Sequence, residues 1–217
     1  MQAYWQIFMI ETTVIIIVIT ILISFMAWSQ PNLMANWIFS PYHISQRKQW
    51  HRFATSGFLH ADYLHLGFNM ISLYFFGKDA EKGFLEKYDA ELYRYFYIIF
   101  YISAIVFSHI PVYFRHKRNP SYRALGASGA VSAVIFMTVI MKPDMRLMIF
   151  PIPISFPGIV FAILYVLYSA YMSKNARDNI GHEAHLYGSL YGLIFVGVMM
   201  PEKITYFMNN LPSFNLF

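Results

Sequence analysis

Four polar residues set in otherwise apolar sequence have the types and spacing for acyl transfer. Ser128 lies in the small-residue run ALGASGA, between Gly126 and Gly129, so other groups can approach its hydroxyl closely. His185 shares a helical face with Gly188 and Gly192, a stripe along which a neighbouring helix can pack tightly. His65 and Asn69 are four residues apart, hence on one helical face, with His60 about a turn earlier near a loop. In such a set a serine hydroxyl attacks a carbonyl while a histidine accepts its proton and later returns it to the leaving amine. Ser128 as nucleophile and His185 as general base fit those roles. A dyad is the economical reading, because Asp and Glu lie only at the ends of the apolar segments and none is placed to complete a triad. The oxyanion then needs donors, for which the Asn69 amide, a His65 ring N–H and the Ser128 backbone N–H are the candidates. The last qualifies because the first amides of a helix lack intrahelical acceptors and carry the positive end of its dipole.

The elements that must position these residues are membrane helices. Of 217 residues, 58% are hydrophobic and only 12% are charged, about half the charged content usual for soluble domains. An apolar chain of this kind, one-fifth aromatic, reads as a single membrane-embedded bundle covering 1–217. Six segments approach the roughly 20 apolar residues that cross a bilayer: 7–28, 60–77, 95–114, 124–141, 154–172 and 184–200, the last stopped by Pro201. The alternation that a membrane barrel needs is missing, so the expected fold is an all-α membrane protein of six transmembrane helices. The 7–28 segment has neither a basic leader nor a small-residue cleavage site and is expected to remain as the first span, with Glu11 snorkelling near its end.

The connections differ in character. Residues 30–57 mix Trp37, Phe39, Tyr42, Trp50 and Phe53 with prolines and basic residues, which predicts a lateral, interfacial element. Residues 78–94 carry dense charge of both signs and are expected to be solvated, whereas 145–154 is apolar and is expected to hug the membrane. The formal charge of +5 is spread between apolar runs, which points to lipid headgroups and away from nucleic acid. Lys and Arg number seven on the side of the termini and nine on the other, so charge alone leaves the orientation open. Cysteine is absent, which excludes disulfides, thiolate catalysis and Cys-ligated metal and leaves the redox compartment open.

Plainer roles compete at each position. Ser128 alone could be a packing residue, His185 a structural histidine, and His65 with Asn69 interhelical glue. His182, one turn before His185, competes for the base but lies in the polar run NIGHEAH with no glycine face at the same spacing. His60 reads as loop-structural, and Trp50 with Arg52 as anchors of the first loop at the headgroups. HEAH at 182–185 invites a zinc site, but a zincin motif has two residues between Glu and the second His, and here there is one.

Taken together and in order, GASG at 126–129, HLYGSLYG from His185, the spacing of His60, His65 and Asn69, and QWHRFATSGFLHAD from Gln49 resemble the rhomboid intramembrane serine proteases. The likeness includes Trp50 and Arg52 of that family's first-loop signature and runs through nearly the whole six-span core. It implies cleavage of a single-span or polytopic membrane-protein substrate in or near its transmembrane helix, with Ser128 as nucleophile, His185 as base and His65 with Asn69 at the oxyanion. It implies no cofactor and no metal, and it puts both termini in the cytoplasm with the active site toward the outside. The short chain without a soluble appendage adds the expectation of a bacterial inner-membrane form. Two features depart from the pattern. Ser132 stands where relatives often carry a bulky aromatic that packs on the catalytic histidine, and His51 interrupts the Trp–Arg pair. A non-proteolytic relative that binds or escorts membrane helices is the main alternative.

Overall fold

The computed structural model describes residues 11–148, 155–175 and 181–211. It is helical nearly throughout. Among the described residues the helices are α1 (Thr12–Ser29), α2 (Pro31–Trp37), α3 (Pro41–Arg47), α4 (Arg52–Thr55), α5 (Tyr63–Lys87), α6 (Tyr93–His116), α7 (Ser128–Met141), α8 (Gly158–Asn175), α9 (His182–Met199) and α10 (Pro201–Asn209). Each expected span holds one long helix, but the bounds differ. Residues 7–10 and 154 of the first and fifth segments lie outside the described residues. By length and hydropathy α1 and α6 are each sufficient to cross a membrane, and α9 with α10 passes only as a pair bent by 104°.

The bundle is organised around α7. All thirteen of its residues from Gly129 to Met141 are buried, enclosed by α5, α6, α8 and α9. That burial explains why the segment is small and apolar all round and has no polar face. The outer helices turn large apolar side chains outward, among them Val18, Leu22 and Phe25 on α1, Leu64, Phe68 and Phe75 on α5, and Leu164 and Leu167 on α8. Such a belt is stable only against lipid. Of α8, only Gly158, Ala162 and Ser169 are buried.

The ends and connections carry detail beyond the expected spans. The charged stretch after residue 77 is helix as far as Lys87, because nothing breaks α5 there, and Lys82, Glu86 and Lys87 along it are exposed as expected. Within that extension Glu81 is buried, and its carboxylate accepts from the Thr12 and Thr13 amides at 2.7 and 2.9 Å and from the Thr13 hydroxyl at 2.9 Å. It thereby caps α1, whose first amides have no intrahelical acceptor. Of residues 145–154, expected to hug the membrane, 149–154 lie outside the described residues; on either side of them β1 (Arg146–Met148) and β2 (Ser155–Pro157) pair as a two-stranded antiparallel ribbon, in register Leu147 to Phe156. At the C-terminal end Pro201 stops α9 as expected and also opens α10.

Candidate active site

Ser128 is the first residue of α7, four residues later than the expected start. Helix cannot begin earlier because Gly126 sits at φ +123°, where L side chains are strained. The first loop holds this extended approach. Phe39 and Ala124 exchange both backbone hydrogen bonds at 3.0 and 3.1 Å, and the Gly126 N–H donates to the Ser56 carbonyl at 3.0 Å. Fully buried His60 adds a further tie. Its Nε2 accepts from the Ala127 N–H at 3.4 Å, which leaves Nδ1–H to donate to Ser24 Oγ at 3.0 Å, and Ser24 in turn donates to the Phe58 carbonyl at 2.9 Å. A histidine of one fixed tautomer thus connects α1 to the segment that presents Ser128.

His65 and Asn69 open α5. Asp62 caps the helix, its Oδ1 accepting from the His65 N–H at 2.8 Å. The Ala61 N–H approaches His65 Nδ1 at 3.5 Å, so Nε2 carries the ring proton. That nitrogen faces the Ser128 segment: a Cβ built on Gly126 would stand 2.9 Å from His65 Nε2 and 3.8 Å from Ser128 Oγ. Asn69 is buried, and one amide proton goes to the His65 carbonyl at 2.8 Å, leaving the other for a ligand.

His185 lies in the first turn of α9, which meets α7 backbone to backbone. A Cβ on Gly188 would stand 3.0 Å from Gly129 Cα, and one on Gly192 would stand 2.9 Å from Ala133 Cα. On the far side of Gly129, Ser108 of α6 leaves equally little room, and the Ala184 carbonyl would be 3.4 Å from a Cβ there. Ser128 and His185, each next to one of these contacting residues, are brought onto facing helix ends. No direct hydrogen bond joins them among the described residues. His182 packs edge-on to His185 with ring centroids 6.0 Å apart and to Tyr168 at 5.6 Å. Glu183 of the HEAH run turns to Arg115, 3.4 Å away.

The sequence reading did not single out Tyr165. This α8 residue lies over His185 with centroids 6.1 Å apart and planes within 24°. Its hydroxyl is 2.7 Å from Ser132 Oγ, which itself donates to the Ser128 carbonyl at 2.8 Å. The small residue at 132 was the signal that another ring had to fill the space.

Trp50 is 57% exposed and stacks on Phe53 at 6.3 Å. Arg52 is not a headgroup anchor: it is 4% exposed and donates to the Ala35 and Ile38 carbonyls at 2.8 Å each and to Gln49 Oε1 at 2.7 Å. The end of α2 leaves carbonyls that need a donor, and the fork of Arg52 supplies it. Burial, then the charges of Arg123 and Arg47, lower its pKa from the usual arginine value. The His51 ring nitrogen Nε2 meets the Asn36 carbonyl at 3.1 Å, closing the same loop.

A cleft of about 640 Å³ opens beside His65, lined also by Ala61, Tyr122, Arg123, Leu125 and Gly181 among others. Its mixed polar lining gives water a way to the His65 ring.

Comparison with known proteins follows the same residues. The family model described as Rhomboid domain matches residues 47–202. A relative from Arabidopsis thaliana, "RHOMBOID-like protein 12, mitochondrial", is 31% identical over 155 residues, a match covering 66% of this chain and 45% of the relative. The chain therefore spans less than half of that relative's length.

Proposed function

This chain belongs to the rhomboid family and is an integral membrane protein, and from that premise we propose that it is a serine endopeptidase cutting membrane-protein substrates within the bilayer. The observation that carries the reading is the glycine contact of α9 on α7, which brings His185 and Ser128 to facing helix ends beside the His65 ring. Ser128 Oγ attacks the scissile carbonyl and gives its proton to His185. The oxyanion is held by His65 Nε2–H, the free Asn69 amide proton and the Ser128 backbone N–H, donors each worth about 2.7 to 4 kcal/mol of barrier in comparable sites. Collapse expels the amine, which takes the proton back from His185, and water from the cleft hydrolyses the acyl-enzyme through the same base. Resting serine–histidine pairs are often long and tighten when substrate binds, which accommodates the missing direct bond.

In this reading α1, α5, α6, α7, α8 and α9 are the six crossing helices, with both termini cytoplasmic and substrates that are single-span or polytopic. The relative's name assigns it to mitochondria, which lends no support to a bacterial inner membrane. We therefore place the chain in a lipid bilayer without choosing between the two.

The test is cleavage of a single-span substrate by purified protein in detergent, comparing wild type with Ser128→Ala and with added chelator. Cleavage that disappears in Ser128→Ala and ignores chelator supports the proposal. Cleavage at the normal rate by Ser128→Ala ends it, and chelator sensitivity redirects attention to His182 and Glu183. The escort reading draws on one observation, the lack of a direct Ser128–His185 hydrogen bond among the described residues. Substrate binding without cutting by any form would favour it.

A further inference from the structure

Any base at His185 has to be held, and its own helix offers only the edge of one ring, His182. Neither ring nitrogen of His185 meets a hydrogen-bond partner among the described residues. The contacts to its ring are the edge of His182 and the face of Tyr165. We propose that Tyr165 is the positioning residue for His185, supplying from α8 the aromatic face that α7 lacks at Ser132. The inference rests on the protease reading and deepens it.

The hydrogen bonds fix the direction of support. A serine hydroxyl has one proton, and that of Ser132 goes to the Ser128 carbonyl at 2.8 Å. The contact of 2.7 Å between Tyr165 and Ser132 is therefore a donation from the tyrosine hydroxyl to Ser132 Oγ. The outer end of the ring is tethered, through one serine, to the backbone of the nucleophile itself. The ring plane lies 24° from the imidazole with centroids 6.1 Å apart, within the range of offset stacking. Phe161 at 5.7 Å and Phe136 at 6.0 Å hold Tyr165 from the other sides.

Positions 132 and 165 are complementary in volume. Ser132 is 1% exposed, and a ring there would take the space now filled by the Tyr165 hydroxyl. A small residue on α7 requires the large one on α8, and the reverse holds as well. The orientation of the base consequently depends on α8 being docked against α7. No residue confined to α7 and α9 would create that dependence.

The experiment uses the full chain in detergent, with isotope-labelled histidine and the His185 ring resonance assigned from a His185→Gln sample. The Tyr165 face shifts the His185 ring protons upfield, and Tyr165→Ala is expected to remove the shift while Tyr165→Phe, which keeps the ring and loses the tether, retains part of it. In cleavage assays Tyr165→Ala should lower kcat by about ten- to a hundredfold, the scale on which a misplaced catalytic group slows a reaction, with KM changed by less than about twofold. The exchange S132F/Y165A, which returns a ring to α7, should recover about tenfold over Tyr165→Ala, a rescue that general loss of packing does not allow. An unmoved His185 resonance, or wild-type kcat in Tyr165→Ala, overturns the proposal. Should the wild type make no Ser128-dependent cut, the protease reading fails, and the resonance alone still decides whether Tyr165 sets the ring.

Discussion

Gly188 rests on the backbone of Gly129 so closely that a methyl group there would stand 3.0 Å from the Gly129 Cα and nearer still to its carbonyl. The contact sets the separation of α7 and α9, and with it the reach from His185 to Ser128. Gly188→Ala is therefore expected to cost about 1 to 3 kcal/mol of stability by overpacking. It should also lower kcat/KM by about a hundredfold, since the pair moves apart. Gly197→Ala, farther along α9 with nothing within 4 Å of the added carbon, is the control: it should leave cleavage unchanged and raise stability by up to about 1 kcal/mol. Thermal unfolding in detergent and cleavage rates decide it; a Gly188→Ala protein indistinguishable from wild type would show that the helix contact is slack.

Gly126 is constrained twice, by its φ of +123° and by the space beside it. A Cβ would enter the gap between His65 Nε2 and Ser128 Oγ, 2.9 Å from the first and 3.8 Å from the second. Gly126→Ala should abolish cleavage and also block labelling of Ser128 by a small serine-directed fluorophosphonate. The strained conformation itself should cost about 1 to 3 kcal/mol. Normal labelling with lost cleavage would move the obstruction from the nucleophile to the substrate path.

These glycines mark where the sequence was legible. Apolar runs, the GASG segment and the Gly188–Gly192 stripe are local patterns, and each has a direct physical cause in lipid solvation or close helix approach. The start of α7 at Ser128 was not legible, because it is set by bonds from Phe39, Ser56 and His60, more than sixty residues away in the chain. The buried fork of Arg52 and the carboxylate of Glu81 were misread for a related reason. Charge in a sequence says solvent or headgroup by default, and only the fold reveals a helix end waiting for that charge. Tyr165 was hidden among other span aromatics until Ser132 was seen to bond to it.

Arg52 makes a prediction for the loop. Its guanidinium serves two carbonyls at the end of α2 and the Gln49 side chain at once, which a lysine cannot do with one ammonium. Arg52→Ala should lose about 2 to 4 kcal/mol and open residues 30–57 to limited proteolysis, with Arg52→Lys between it and wild type. Cleavage should fall in step with loop opening, because Phe39 and Ser56 on that loop hold Ala124 and Gly126. A protease-resistant Arg52→Ala loop would contradict the clamp.

Glu81 makes the opposite prediction, a loss of stability without a loss of chemistry. Its carboxylate caps the start of α1 through the Thr12 and Thr13 amides and the Thr13 hydroxyl, which also lies 3.1 Å from Tyr97 Oη. Removing it leaves buried donors at the positive end of a helix, a cost of about 2 to 4 kcal/mol. Glu81→Gln retains one acceptor oxygen and should lose less. Glu81 lies sixteen residues along α5 from His65, about 24 Å at 1.5 Å per residue, so the proposed catalytic end should not sense the change. Glu81→Ala assayed below its lowered melting point should therefore cut at close to the wild-type rate while unfolding earlier on heating. A folded Glu81→Ala protein with impaired turnover would mean that α1 transmits strain to the Ser128 segment through His60, to which both Ser24 and Trp28 of α1 are hydrogen-bonded.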